Sequence, residues 1–181
     1  NVRAEPYTMP VWVRGQDEAR ILSPFPQNLV LAALGNSGST SDKGIEGEIV
    51  YFPSIDALEA ASAASLKGKI AFVDHGMGAT QDGSSYGYYG AARRQGPSIA
   101  SKKGAIAILI RSIGTDHHRV PHTGVQMWAD GATPIPAAAL SVPDAEQLVR
   151  VGLLTQRGRR GDRRAIAAQH LGDPVERGRR D

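Results

Sequence analysis

Apolar and polar positions along the chain change their rhythm twice, dividing it into three zones. In the first, residues 10–15 (PVWVRG), 19–22 and 28–34 form short apolar runs separated by Gly, Pro and polar residues. Short runs punctuated in this way predict the strands of an antiparallel meander. Residues 35–42 (GNSGSTSD) are a flexible stretch and mark a domain boundary near Ser41.

The second zone opens at Gly44. Residues 45–52 (IEGEIVYF) alternate as a half-buried strand should. Ser54 is placed to cap a short helix carrying Ile55 and Leu58. Residues 69–74 read as another strand, followed by a long Gly/Ser/Tyr-rich loop from His75 to about Gly90. Loops of that length inside compact domains tend to be functional or mobile. A helix is expected over 97–103, with Pro97 in its first turn, Lys102 and Lys103 near its negative end and Gly104 as the left-handed terminator. Residues 105–110 (AIAILI) are apolar at every position, which predicts a strand covered on both faces. Residues 135–140 form a further strand, and Pro134 and Pro136 at its start favour a sheet edge. Ser141 and Asp144 then open a helix reaching about Arg150 in a variant of the capping box. The third zone, from 151 on, is rich in Arg and Gly, with a brief helix expected over 165–171.

Net charge changes this picture only by where it lies. The 181 residues carry 21 Lys and Arg against 18 Asp and Glu. Residues 1–150 hold 13 basic and 14 acidic side chains, whereas 151–181 hold 8 Arg and 4 acids. The basicity belongs to the tail, which reads as disordered or as an out-of-frame translation. No aromatics are interleaved there to stack on bases, which disfavours a nucleic-acid partner. No apolar run approaches the roughly 20 residues of a membrane span. Cysteine is absent, removing disulfides and thiolate chemistry together. The chain opens on Asn1 without a charged-then-apolar leader, as expected of a processed or excerpted piece.

Candidate chemistry is sparse. Asp116, His117, His118, His122 and Asp130 are ligand types close in sequence. Their spacing is poor for a metal, however, and a polar exposed loop is the better reading. His75 after a strand could serve as a base, but a lone histidine is more often structural. His-Glu-x-x-His, Gly-x-Ser-x-Gly and phosphate-loop patterns do not occur. No catalytic residue and no metal ligand can be named.

Several segments nevertheless resemble a known family. Residues 10–15, 34–37 and 44–46 look like the opening of di-zinc exopeptidases of the glutamate carboxypeptidase and aminopeptidase type. Residues 92–96 (ARRQG), 103–105, 109–112 (LIRS), 121–124 (PHTG) and 135–141 (IPAAALS) occur in the order of its plasma glutamate carboxypeptidase branch. The resemblance covers about residues 1–150. It implies a mixed α/β fold in which a swivelling β/β/α protease-associated domain follows an antiparallel strand segment of an incomplete peptidase domain. The implied division is 1–41 for the leading peptidase strands, 42–150 for the protease-associated domain and 151–181 for the tail.

By the same resemblance the function is a non-catalytic part of a secreted or periplasmic zinc exopeptidase, a hydrolase whose two zinc ions lie outside this chain. The chain itself would hold no cofactor and no membrane contact. Its partners would be the peptide substrate and the missing peptidase domain. Tyr86, Arg111, His122, Thr123 and Gly124 are the expected substrate-facing residues, with Arg111 either meeting a substrate carboxylate or pairing with an internal acid. The tail's one histidine, His170, lacks the His-x-Asp context of the family's metal centre. A stand-alone peptide- or protein-binding module, and a basic-tail nucleic-acid binder, are the competing readings. The leading strands, cut off from their own sheet, would carry unpaired edges.

Overall fold

A computed structural model describes residues 2–157 and 165–169. In chain order its elements are β1 (Glu18–Ile21), β2 (Gln27–Leu29), β3 (Leu31–Ala33), β4 (Ile45–Phe52), α1 (Ile55–Ala60), α2 (Ala63–Leu66), β5 (Ile70–Val73), α3 (Tyr86–Tyr89), α4 (Ala91–Lys102), β6 (Ala107–Arg111), β7 (Ala137–Leu140), α5 (Val142–Arg157) and β8 (Ala165–Gln169). The strands form one mixed sheet in the order β2-β1-β8-β4-β5-β6-β7-β3. Strands β4 to β7 run parallel to their neighbours, while β1, β2, β8 and β3 pair antiparallel. The long β4 joins the two halves: Ile45 to Glu48 pair with β8, and Ile49 to Phe52 with β5. The mixed α/β class expected from the sequence is the class observed.

The parallel strands are covered on both faces, as their continuous apolar runs require. Ile70, Phe72, Ala107, Leu109, Ala138 and Leu140 face one core together with Ile21, Leu29, Ala145 and Leu148. Ala71, Val73, Ile108, Ile110, Ala137 and Ala139 face the other, against Ile55, Leu58, Leu66, Ala92 and Ala100. The first core is therefore capped by the β1–β2 pair and α5, the second by α1, α2 and α4. Helix starts follow the local chemistry. Ser54 Oγ accepts the Ala57 N–H at 3.1 Å, and Ser141 Oγ accepts the Asp144 N–H at 3.2 Å and bonds the Asp144 carboxylate in return. Gly104 ends α4 with φ of 81°, where a Cβ would be strained.

Five expectations are corrected. Residues 10–15 are not a strand. Arg14 Nη2 donates to Ala33 O at 3.0 Å and Asp17 Oδ2 accepts the Ala33 N–H at 2.8 Å, so side chains satisfy the edge of β3. The meander is also incomplete: β1 and β2 pair, but β3 leaves them and pairs with β7 (Leu31 with Leu140, Ala33 with Ala138). The leading strands thus have partners, and β7 is internal, because its two prolines precede the paired residues. Helix α4 begins at Ala91 and holds Pro97 inside it. Residues 91–102 bury Ala92, Gly96 and Ala100 at helical spacing, and this packing outweighs the hydrogen bond that proline removes. Residues 165–169 form β8, filling the slot between β1 and β4, where neighbouring strands impose extended pairing on a short Ala-rich segment. Residues 158–164 and 170–181, with most of the tail's basic side chains and His170, lie outside the described residues, and with them most of the disorder, frame and nucleic-acid readings.

The Ser37–Ile135 crossing is tight. Gly38 N donates to Ile135 O at 3.1 Å, and a Cβ on Gly38 would stand 2.9 Å from the backbone of Pro134 and Ile135. Gly38→Ala is expected to cost about 2 kcal/mol or more, because backbone rather than a flexible side chain must give way. A urea titration in which the variant matches the parent would show that the 134–135 segment can move aside.

Candidate functional site

The carboxyl ends of parallel strands lie at one edge of the sheet, the usual position for ligands in α/β folds. Here they deliver Asp74 and His75 after β5, Arg111 and Ser112 at β6, and Ser141 and Asp144 after β7. Arg111 Nε donates to Asp74 Oδ1 at 2.5 Å, and its Nη1 lies 3.6 Å from Glu146 Oε1. Tyr51 OH donates to the other Asp74 oxygen at 3.3 Å. Burial, followed by the charge and hydrogen bond of Asp74, raises the Tyr51 phenol above its ordinary value, while the Arg111 charge works against them. Beside this group lies a cleft of about 300 Å³ lined by Gly76, Met77, Arg111, Gly114, His117 and Glu146. The Arg111 guanidinium is paired with an internal acid, Asp74.

A second group gathers around Arg93. Its Nη1 donates to Tyr86 OH at 2.9 Å, and the Tyr86 ring stacks on His122 with centroids 5.7 Å apart. His122 Nδ1 donates to the carbonyl of Ile113, and its Nε2 lies 3.4 Å from Tyr86 OH. A chain of polar contacts therefore links Arg93, the Tyr86 hydroxyl, His122 and the backbone. Arg93 lies flat against Gly124, where a Cβ would stand 3.0 Å from its Nε and Cζ. No carboxylate among the described residues lies within ion-pair distance of Arg93, and its Nε is buried without a partner. A half-buried guanidinium without a counter-ion beside a phenol and an imidazole is suited to an anion such as a carboxylate.

The loop that carries His122 is pinned along its length. Ser112 Oγ donates to Leu140 O at 2.6 Å and accepts the His122 N–H at 2.7 Å. Arg119 forms a two-pronged pair with Asp144 at 2.6 and 2.8 Å and reaches Asn28 O at 3.2 Å. Thr123 Oγ1 donates to Ala33 O and accepts from Arg14 Nη2, both at 3.2 Å. Gly124 O accepts the Gly35 N–H at 2.9 Å. Tyr86, His122, Thr123 and Gly124 are thereby brought together, and Ser112 links them to the Arg111 group next door.

Arg93, Arg14 and Asp74 escaped the sequence reading. The one available signal for Arg93 was its spacing of seven from Tyr86, two helical turns across α3 and α4. Asp116, His117 and His118 are exposed, as expected of a polar loop. Among the described residues no group of three or more His, Asp or Glu is placed to hold a metal ion. No helix among them is long and apolar enough to cross a membrane.

Comparison with known proteins defines the class first. The chain superposes with a TM-score of 0.83 on a peptidase M28 precursor from Shewanella amazonensis, at 42% identity, over 92% of this chain and 36% of that one. A zinc aminopeptidase from Bacillus subtilis shares the fold over 91% of the chain, with a TM-score of 0.54 at 17% identity. Its sequence is also similar to carboxypeptidase Q. The Pongo abelii form is 36% identical over 151 residues and the human form 35% identical over 150, each match covering 83% of this chain. The homologues of this chain are thus carboxypeptidase Q and M28-type peptidases, and it spans about 30% of the length of these carboxypeptidase Q relatives. No protein-family model matches it.

Proposed function

We propose that the chain is the protease-associated portion of a zinc exopeptidase, with its leading strands, and that it shapes peptide access to a catalytic site it does not itself supply. Residues 42–150 form the inserted unit, residues 1–41 bring peptidase-side strands that lie along its sheet, and 151–181 are the tail. Zinc, the peptide substrate and a secreted or periplasmic setting belong to the complete enzyme. The observation that supports the reading is the Arg93–Tyr86–His122 group, a half-buried guanidinium without a carboxylate partner among the described residues, in a homologue of exopeptidases. Tyr86, His122, Thr123 and Gly124 face the substrate with Arg93 beneath them, and Arg111, held by Asp74, stands at the rim.

The test replaces the matching region of the Shewanella amazonensis peptidase with residues 42–150 of this chain. The chimera is expected to keep its zinc and its turnover number on a small chromogenic amide while KM for longer peptides changes. A folded, zinc-loaded chimera with unchanged KM for every peptide rejects the reading. Within that chimera, Arg93→Gln is expected to raise KM for peptides with a free α-carboxylate by roughly 10- to 100-fold, the worth of one charge-assisted bond. Their C-terminal amides should be unaffected.

A further inference from the structure

We propose that His75 is an acid-operated catch that holds α3, and with it Tyr86, in place only while its imidazole is neutral. The inference rests on the reading that Tyr86 serves the peptide-facing surface. His75 follows β5 and is buried. Its ring meets those of Tyr88 and Tyr89 at centroid distances of 5.1 and 4.6 Å. Helix α3 is four residues long and has no side-chain cap, too short to persist without tertiary contacts. Its holds are the His75 cluster, the run-on into α4 through Gly90, Arg94 Nη2 on Gly87 O at 2.8 Å, and the contacts of Tyr86 with Arg93 and His122. The preceding residues, 76–84, are almost wholly exposed, so nothing behind α3 retains it.

A proton on His75 would turn both ring nitrogens into donors. Nδ1 is buried and has no partner among the described residues. The groups facing it offer little relief. Tyr88 and Tyr89 on α3 offer no carboxylate, and Asp74, just after β5, is taken by Arg111 and Tyr51. Arg94 above Gly87 is itself cationic. Asp56 of α1 favours the charged ring, but burial outweighs it and lowers the His75 pKa below the ordinary 6.5. The docked loop therefore binds fewer protons than the released one. Docking is at full strength above pH 6.5 and is lost as the pH falls below that toward the lowered folded value.

Hydrogen exchange on the whole chain, corrected for the intrinsic pH dependence of exchange, reads this directly. Between about pH 7.5 and about pH 5, protection across 84–92 is expected to fall while that of β6 stays constant. His75→Phe should hold the protection at both pH values. Unchanged protection in the parent, or the same loss in His75→Phe, overturns the proposal. A second measurement needs no variant. The His75 imidazole, titrated by NMR, must share its midpoint with the release of α3, and separate midpoints also overturn it. If α3 is released on schedule while peptide KM in the chimera stays flat with pH, the catch stands and the peptide-facing reading of Tyr86 is what fails.

Discussion

Asp144→Ala is expected to lower the free energy of unfolding by about 3 kcal/mol, measured by urea denaturation at neutral pH. The Asp144 side chain is 2% exposed and meets Arg119 at 2.6 Å. It also closes the capping box with Ser141 at the start of α5. Truncation removes the cap and strands a guanidinium that ties the His122 loop to β2. Because Arg119 is itself half in water, solvent screening holds the loss toward the lower end of what breaking a buried pair costs. Asp144→Asn keeps the shape but not the charge and should lose about half as much. Burial pushes the Asp144 carboxyl up. The hydrogen bonds from Arg119 and Ser141 and the guanidinium charge together outweigh it, so the net shift is down from 3.8. The stability it contributes is present above that value and drains away as the pH falls below it toward the lowered folded one. A variant with the parent's acid unfolding profile would remove Asp144 from this role.

Arg111→Ala should be nearly as damaging, again by about 3 kcal/mol. Arg111 and Asp74 are 13% and 10% exposed, so the alanine leaves Asp74 charged, almost dry and held only by Tyr51. Arg111→Lys restores the charge but not the fork that reaches Asp74 and Glu146 together, and should recover part of the loss. If Arg111 acted on substrate alone, the alanine variant would melt like the parent and only KM would rise. The two readouts separate a strut from a receptor.

Much of the parallel core was legible because its signals are local. The continuous apolar run at 105–110, the glycine after α4 and the Ser-x-x-Asp opening of α5 each carry their own physical cause, and each appears where expected. The candidate site was half legible. Tyr86, His122, Thr123 and Gly124 were singled out and do converge. Arg93 was quoted only within a motif, because what makes it notable is a missing counter-ion, and absence of a neighbour is not written in spacing. Asp74 looked like the polar end of a strand until Arg111, 37 residues away, was seen to depend on it.

By itself the sequence determined the mixed α/β class, the doubly covered strand at 105–110 and the helix caps, since hydrophobic period and terminal hydrogen bonding act over a few residues. Only the tertiary structure decided which strands lie at an edge. Residues 10–15 lost their strand because Arg14 and Asp17 satisfied Ala33, β7 became internal because β3 came to cover it, and 165–169 extended because a slot stood open between β1 and β4. In each case a backbone group found its hydrogen-bond partner at long range, and that choice is settled by the assembled sheet rather than by the residue's own neighbours.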